Sequence, residues 1–97
     1  MGLTQEEIGT IVDASARSVS RWSSGEVVPQ RLNKQRLVEL AYVAEAVADV
    51  LPREDANLWM FTPNRMLDHK TPAVCISEGS YRDVLDLIEA IAGGVIV

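Results

Sequence analysis

Apolar positions recur at helical spacing along most of the chain, and the first repeat follows a polar start signal. Thr4 and Glu7 have the three-residue spacing of a capping box, in which each side chain accepts a hydrogen bond from the other residue's backbone N–H. The helix that follows has an apolar face formed by Ile8, Ile11 and Val12. Gly9 inside this helix costs stability, which predicts close approach by another helix. Residues 13–15 interrupt the pattern and predict a turn.

A second short helix is predicted over residues 16–24, with Ser15 as its N-cap and Gly25 at its end. Val19 and Trp22 share one face of it, and arginine and serine occupy the rest. Two short helices joined by a three-residue turn are typical of a helix-turn-helix that binds DNA. The alternative is a helical hairpin without a DNA role.

The longest apolar repeat predicts a central helix over residues 32–51, ended by Pro52. Its apolar residues recur at i, i+3, i+4 and i+7 and leave a narrow polar strip of Glu39, Glu45 and Asp49. A helix that is apolar over most of its circumference lies in a core or at a subunit interface. The pattern leaves both environments open, since one helix can serve in both.

The block of residues 59–72 contains two Thr-Pro steps, at Thr62 and Thr71. Each predicts a helix start, because Thr can cap and Pro suits the first helical position. We therefore expect a short helix from Arg53 into the block and one or two helical turns after the first step. A buried helix that includes residues 73–76 should follow the second step. The block would then be a bent joint between short helices.

The last helix is predicted from Tyr81 to about Ala92, opened by a second capping box, Ser80 to Asp83, and ended by Gly93-Gly94. Three aliphatic residues with a free carboxylate follow it. Exposure of such a terminus is costly. Burial in a partner's cleft would contribute about 1.5–3 kcal/mol per side chain, less the cost of ordering. The alternative is that the tail folds back onto the chain's own core or is an ordinary frayed end.

Composition limits the class of protein. The 97 residues are 47% hydrophobic, which excludes disorder and suits one small domain or two fused subdomains. No apolar run approaches the roughly 20 residues of a membrane span, and we expect no signal peptide. The single cysteine, Cys75, cannot form an internal disulfide, which fits a reducing compartment. We therefore expect a cytoplasmic protein.

Charge is distributed unevenly along the chain. The net charge is −5, yet residues 14–36 carry +4 and the remainder −9. An acidic chain is a poor general binder of nucleic acid. A local basic patch could still serve one defined DNA contact, whereas the alternative is a set of ordinary solvated charges.

Candidate catalytic chemistry is weak. His69 next to Asp68, with Cys75 nearby, shows neither the spatial convergence nor the oxyanion site that nucleophilic catalysis needs. One cysteine and one histidine cannot fill a tetrahedral zinc site. We therefore expect a protein that is not an enzyme, with no catalytic residues, metal or cofactor.

Two motifs resemble known families. The run Leu-Thr-Gln-Glu-Glu-Ile-Gly at residues 3–9 and the spaced residues Ser15, Val19, Trp22 and Gly25 resemble the Xre-type helix-turn-helix family. Members of that family have another helix before this pair, whereas only two residues precede it here. Either the chain is shortened at its N-terminus or the domain is reduced.

The second motif begins at residue 59 and consists of Trp, then Thr-Pro-Asn, an apolar position and a further Pro. Its members here are Trp59, Thr62, Pro63, Asn64, Leu67 and Pro72. This motif resembles the toxin-binding domain of the Xre/MbcA/ParS antitoxin family, and residues 31–52 resemble its MbcA-like branch. The two motifs in this order cover nearly the whole chain.

The resemblance implies an all-α fold: a helix-turn-helix in residues 1–30, a central helix in 31–52, and a small toxin-binding domain with its tail in 53–97. It also implies an antitoxin that closes the active site of a RES-domain, NAD-degrading toxin with residues near its C-terminus. Homodimers within larger toxin–antitoxin assemblies, and repression of the operon through the helix-turn-helix, are usual in that family. The alternative is a DNA-binding repressor whose C-terminal half only mediates dimerisation.

Two sets of candidate site residues follow. The toxin-binding candidates are the tail and three charged residues of the C-terminal half: Gly93, Gly94, Val95, Ile96, Val97, Glu89, Arg65 and Arg82. The DNA-binding candidates are the polar residues at the start and on the surface of the second helix: Ser15, Arg17, Ser18, Ser20 and Arg21.

Overall fold

The computed structural model of the chain describes residues 2–94, and every regular element in that range is helical. The elements are α1 (Gln5–Val12), α2 (Ala16–Ser23), α3 (Arg31–Ala48), α4 (Arg53–Met60), a 3₁₀ helix (Arg65–Leu67), α5 (Pro72–Ser77) and α6 (Tyr81–Ala92). The predicted all-α fold is therefore confirmed. None of the helices in residues 2–94 has the length and apolar character needed to cross a membrane.

The first two helices and their turn form where the polar signals predict them. The Thr4 N–H donates to Glu7 Oε1 at 2.9 Å, and the Glu7 N–H donates to Thr4 Oγ1 at 3.1 Å, so the capping box is complete. Asp13 closes α1 in the left-handed conformation, with φ 59°. Ser15 then caps α2. Helix α2 packs mainly on α1, and α1 packs on α3 and α5.

The turn between α1 and α2, and not another helix, explains the glycine inside α1. A Cβ on Gly9 would lie 2.5 Å from the backbone oxygen of Ala14, in the turn itself. The expected close approach is therefore present, but its source is the turn backbone, which folds back over α1.

Helix α3 is the centre of the fold and contacts α1, α4, α5 and α6. It ends at Ala48, three residues before the predicted end. The backbone N–H groups of Val50 and Leu51 both donate to the Val47 oxygen, so the chain tightens into a turn here. Pro52 disfavours helical geometry at Leu51, the residue before it, and the turn leaves Leu51 outside the helix.

One residue of the predicted polar strip on α3 is buried instead. Glu39 is 7% exposed and lies on the side of α3 that carries the core residues Leu40 and Val43. Arg36 makes this possible, because its Nη1 lies 2.9 Å from Glu39 Oε1. The Arg36 Nε–H also donates to the Ser77 backbone oxygen at 3.4 Å, which links α3 to the end of α5.

Thr62 does not cap a helix, so that part of the prediction is wrong, although the helical turn expected after the step is present as the 3₁₀ helix. The Thr62 hydroxyl donates backwards to the Leu58 oxygen at 2.6 Å and therefore belongs to the end of α4. Asn64 caps the 3₁₀ helix instead, accepting from the Met66 N–H at 2.9 Å. A backbone bridge between Asn64 and Lys70 closes this joint.

The second Thr-Pro step starts α5 as predicted. Thr71 Oγ1 accepts from the Val74 N–H at 3.1 Å, and Pro72 is in the first turn. Ala73, Cys75 and Ile76 are buried as expected, but Val74 is 42% exposed.

The predicted capping box before α6 is absent. Ser80 makes no side-chain cap hydrogen bond; the Asp83 N–H donates to its backbone oxygen instead, at 3.1 Å. Helix α6 is held by core residues and needs no cap, because burial supplies most of a helix's stability in a protein. Its fully or nearly fully buried residues are Val84, Leu87 and Ile88.

Candidate functional site

Of the five tail residues predicted to bind the toxin, the structure describes two, Gly93 and Gly94, at the end of α6. The Gly93 N–H donates to the Glu89 oxygen at 2.9 Å, and the Gly94 N–H donates to the Ile91 oxygen at 3.0 Å. Gly94 has φ 83°, which ends the helix at the predicted place. Both glycines are exposed. The other tail candidates, Val95, Ile96 and Val97, lie outside the described residues.

The three charged candidates of the C-terminal half are all exposed. Arg82 and Glu89 are seven residues apart on α6 and therefore lie along one face of the helix. The Arg82 guanidinium lies 5.6 Å from the centre of the Tyr81 ring, which orients it. Arg65 lies on the 3₁₀ helix, which packs against α6. The structure thus places two of the three on one helix and the third on its neighbour.

A groove of about 440 Å³ lies between the 3₁₀ helix, α5 and α6, and the sequence did not indicate it. Its apolar lining includes Met66, whose side chain is 60% exposed. The charged residues along it are Asp68, Lys70, Glu78, Asp83 and Asp86. Four of these five are acidic, so much of the negative charge of the C-terminal half is concentrated along this groove.

The groove contains an ion pair. Lys70 Nζ lies 3.0 Å from Glu78 Oε2, and this hydrogen bond, together with the charge of Glu78, raises the pKa of Lys70. Both side chains are about half exposed, so the pair contributes little to stability. It does neutralise one of the four carboxylates, and the remaining three give the groove a negative potential.

Cys75 and His69, the two side chains considered for nucleophilic or metal chemistry, lie in residues 2–94 and can be placed. Cys75 is buried, and this burial raises the pKa of its thiol, which is the opposite of what an activated nucleophile requires. His69 is exposed on the joint with φ 64°. Among residues 2–94 no group of three His, Cys, Asp or Glu side chains could hold a metal ion.

Helix α2 presents a basic surface opposite its buried side. Val19 is 4% exposed and faces α1, whereas Arg17, Ser20 and Arg21 are exposed. Arg17 and Arg21 are one helical turn apart, so both project from the side of α2 that faces solvent. Arg21 also lies 3.6 Å from Glu26, in an exposed and therefore weak ion pair.

The other two DNA-binding candidates have local structural roles. Ser15 Oγ accepts from the Ser18 N–H at 3.1 Å and donates to the Ser18 hydroxyl at 3.0 Å. These bonds hold the first turn of α2. Of the five DNA-binding candidates, Arg17 and Arg21 therefore supply the charge of this surface, whereas Ser15 and Ser18 stabilise the start of α2.

Comparison with known proteins adds independent information. A family model described as the antitoxin Xre/MbcA/ParS C-terminal toxin-binding domain matches residues 44–94. The mycobacterial cidal antitoxin MbcA of Mycobacterium tuberculosis is 65% identical over 97 residues, which span all of this chain and 86% of that protein. The probable mycobacterial cidal antitoxin Rv3188 of the same organism is 28% identical over 96 residues, covering 99% and 82% of the two chains.

A solved structure is similar over nearly the same extent. The chain superimposes with a TM-score of 0.90 and 66% identity on a chain from the crystal structure of the M. tuberculosis MbcT–MbcA toxin–antitoxin complex. The match covers 99% of this chain and 86% of that one. At this similarity the helical arrangement described above is shared.

Proposed function

The chain belongs to the Xre/MbcA/ParS antitoxin family, in its MbcA-like branch, and on that premise we propose how it neutralises its toxin. It is an antitoxin, a toxin-binding regulator and not an enzyme. Its toxin is a RES-domain protein that degrades NAD, and the antitoxin blocks that active site with its own C-terminal segment. The two proteins meet in the cytoplasm, where homodimers of the antitoxin form part of a larger toxin–antitoxin assembly.

The observation that carries this mechanism is the way α6 ends. Three buried residues anchor the helix, and it stops at Gly93 and Gly94, both exposed. A rigid helix that ends at the surface fixes the position of Gly94, the residue after which the tail candidates follow in the sequence. Those residues are Val, Ile and Val, whose burial in a cleft would contribute about 1.5–3 kcal/mol each before ordering costs.

The charges of the same region support binding to a basic partner. A pocket that handles NAD must accommodate a pyrophosphate, so its rim should be positively charged. Glu89 on α6 and the acidic groove next to the 3₁₀ helix would complement such a rim. Arg65 and Arg82 would fix the orientation of the two proteins, since opposed like charges penalise incorrect docking.

Truncation of the tail tests the mechanism. The sharpest variant ends at Gly94, because it retains both backbone hydrogen bonds that close α6. We expect this variant to fold and to lose protection in an NAD-depletion assay with the cognate toxin. A matched variant with serine at residues 95–97 keeps the chain length, and so separates the aliphatic side chains from the mere presence of the tail. Full inhibition by both variants would show that the tail is not what closes the active site.

A second function, repression of the operon, is supported by the exposed Arg17 and Arg21 of α2. We expect a gel shift with DNA from upstream of the operon. Alanine at both positions should weaken that binding and reduce its salt dependence, because each arginine would neutralise one DNA phosphate and release its counterion. Toxin inhibition should remain intact in this variant, and its loss would contradict the division into a DNA-binding and a toxin-binding part. A repressor without antitoxin activity would shift DNA but leave NAD unprotected.

A further inference from the structure

The outward face of α3 has an apolar centre. Val38 is 47% exposed and Tyr42 is 57% exposed, and the small residue Ala41 lies exposed beside them. Their three- and four-residue spacing places all three on one stripe, on the side of α3 away from the core. A tyrosine and a valine exposed together on a regular helix leave an apolar face that nothing within residues 2–94 covers.

The same stripe carries opposite charges at its two ends. Arg31 and Lys34 lie at its start, and Glu45 and Asp49 lie at its end; all four are exposed. The three ion pairs within residues 2–94 use other side chains. This order is the reverse of what the helix dipole favours, since basic residues destabilise a helix start and acidic residues a helix end. The stability of α3 itself therefore does not explain the arrangement.

The stripe is complementary to an inverted copy of itself. When a second α3 is laid antiparallel across a twofold axis near residue 40, Arg31 meets Asp49 of the second copy, and Lys34 meets Glu45. Val38 then meets Tyr42 at the centre. A parallel arrangement would instead oppose arginine to arginine and glutamate to glutamate, which is unfavourable. We propose that this face of α3 is where two copies of the chain pair, antiparallel, as a symmetric dimer.

The dimensions of α3 suit this pairing. Its 18 residues span about 27 Å at 1.5 Å per residue, long enough for several layers of contact. The small side chain of Ala41 allows the two helices to approach to about 8–10 Å. An apolar centre with a charged rim, in which the same patch serves both subunits, is the usual anatomy of a twofold interface. The proposal rests on the homodimer within the proposed function but not on how the toxin is inhibited.

The first test measures the mass of the full chain by light scattering over a range of concentrations. We expect a dimer of twice the 10.6 kDa of one chain. Tyr42→Glu places a carboxylate at the apolar centre and should raise the dimer dissociation constant at least tenfold. Leu58→Glu is the matched control, because Leu58 is 71% exposed on α4 and does not belong to the stripe, so that variant should remain dimeric.

Charge reversal tests the antiparallel geometry. Arg31→Asp and Asp49→Arg should each raise the dissociation constant about tenfold, because twofold symmetry makes every change act twice. The double variant should restore the wild-type value. Neither single change should unfold α3, since both follow the preference of the helix dipole. In a parallel pairing each residue meets its own copy, so the double variant would show no restoration.

The remaining outcomes overturn the proposal in distinguishable ways. A wild-type chain that stays monomeric removes the homodimer from the proposed function as well. A dimer that resists Tyr42→Glu and both charge reversals forms through another surface. A monomer in which Tyr42→Glu abolishes toxin binding assigns this face to the toxin. Inhibition measured alongside in the NAD-depletion assay separates these results from a failure of the tail mechanism.

Discussion

Replacing Gly9 with alanine sets two physical effects against each other. A glycine within a helix costs about 0.5–1 kcal/mol relative to alanine, so helix propensity alone predicts a more stable protein. The structure predicts the opposite, because the new Cβ would lie 2.5 Å from the Ala14 backbone oxygen. The turn would have to retreat by about 0.5 Å to reach even the shortest distance that real Cβ atoms show.

That retreat is costly because the turn is bonded to the same glycine. The Asp13 and Ala14 N–H groups both donate to the Gly9 oxygen, the latter at 2.8 Å. Overpacking of this kind costs about 1–3 kcal/mol, and a weakened hydrogen bond adds about 1 kcal/mol. After subtraction of the gain in propensity, Gly9→Ala should lower the free energy of unfolding by about 1–3 kcal/mol.

Thermal unfolding followed by circular dichroism measures the effect. For a domain of this size the loss corresponds to a fall of about 5–20 °C in Tm. Gly93→Ala is the control, because its Cβ would meet the Glu89 oxygen at an ordinary 3.4 Å and its φ is negative, so its Tm should change little. An unchanged or higher Tm for Gly9→Ala would refute the argument that the turn crowds α1.

Three further predictions concern stability. In urea unfolding, Arg36→Met should cost about 2–4 kcal/mol because it leaves the buried Glu39 carboxylate without its cation, with only the hydrogen bond from Gln35 Nε2 at 3.3 Å, and adding Glu39→Leu should recover most of the loss. Thr71→Ala should cost about 1 kcal/mol, whereas Ser80→Ala should change stability by less than about 0.5 kcal/mol. The reason is that the Thr71 side chain caps its helix and the Ser80 side chain does not. Burial raises the pKa of the Cys75 thiol, so the unfolded chain ionises first and stability should fall as pH rises past the ordinary thiol pKa of 9.0; Cys75→Ala should remove this part of the pH dependence.

Local signals predicted helix boundaries well where one side chain decides them. Thr4, Ser15 and Thr71 each cap the helix that follows, and Gly94 ends the last one. Thr62 has the same Thr-Pro sequence as Thr71 but caps nothing. Helix α4 ends only two residues before it, so its hydroxyl reaches back to the last turn of that helix. Whether a threonine caps the next helix or bonds back to the previous one thus depends on where the previous helix ends. The Thr-Pro dipeptide alone does not give that position.

Features that depend on contacts between elements were not predictable from periodicity. Glu39 looked like a solvent-facing residue, and its burial requires Arg36 to pair with it while also reaching Ser77 on α5. The acidic groove is similar, because its charges come from the joint after the 3₁₀ helix, from the turn after α5 and from α6, which only the fold brings together. The exposure of Met66 in that groove could not be predicted from the sequence either, since apolar residues in short helices usually point to a core.

The proposed pairing through α3 changes what the basic stretch of the chain means. Residues 14–36 carry +4, and two of their basic side chains, Arg31 and Lys34, would face acidic residues of the second copy. A DNA contact would then depend on Arg17 and Arg21 of α2, which is a small charge for a chain of net charge −5. A twofold dimer compensates for this, because it presents two α2 helices that can bind two half-sites of an operator at once. Dimerisation would therefore decide whether this acidic protein binds DNA at all.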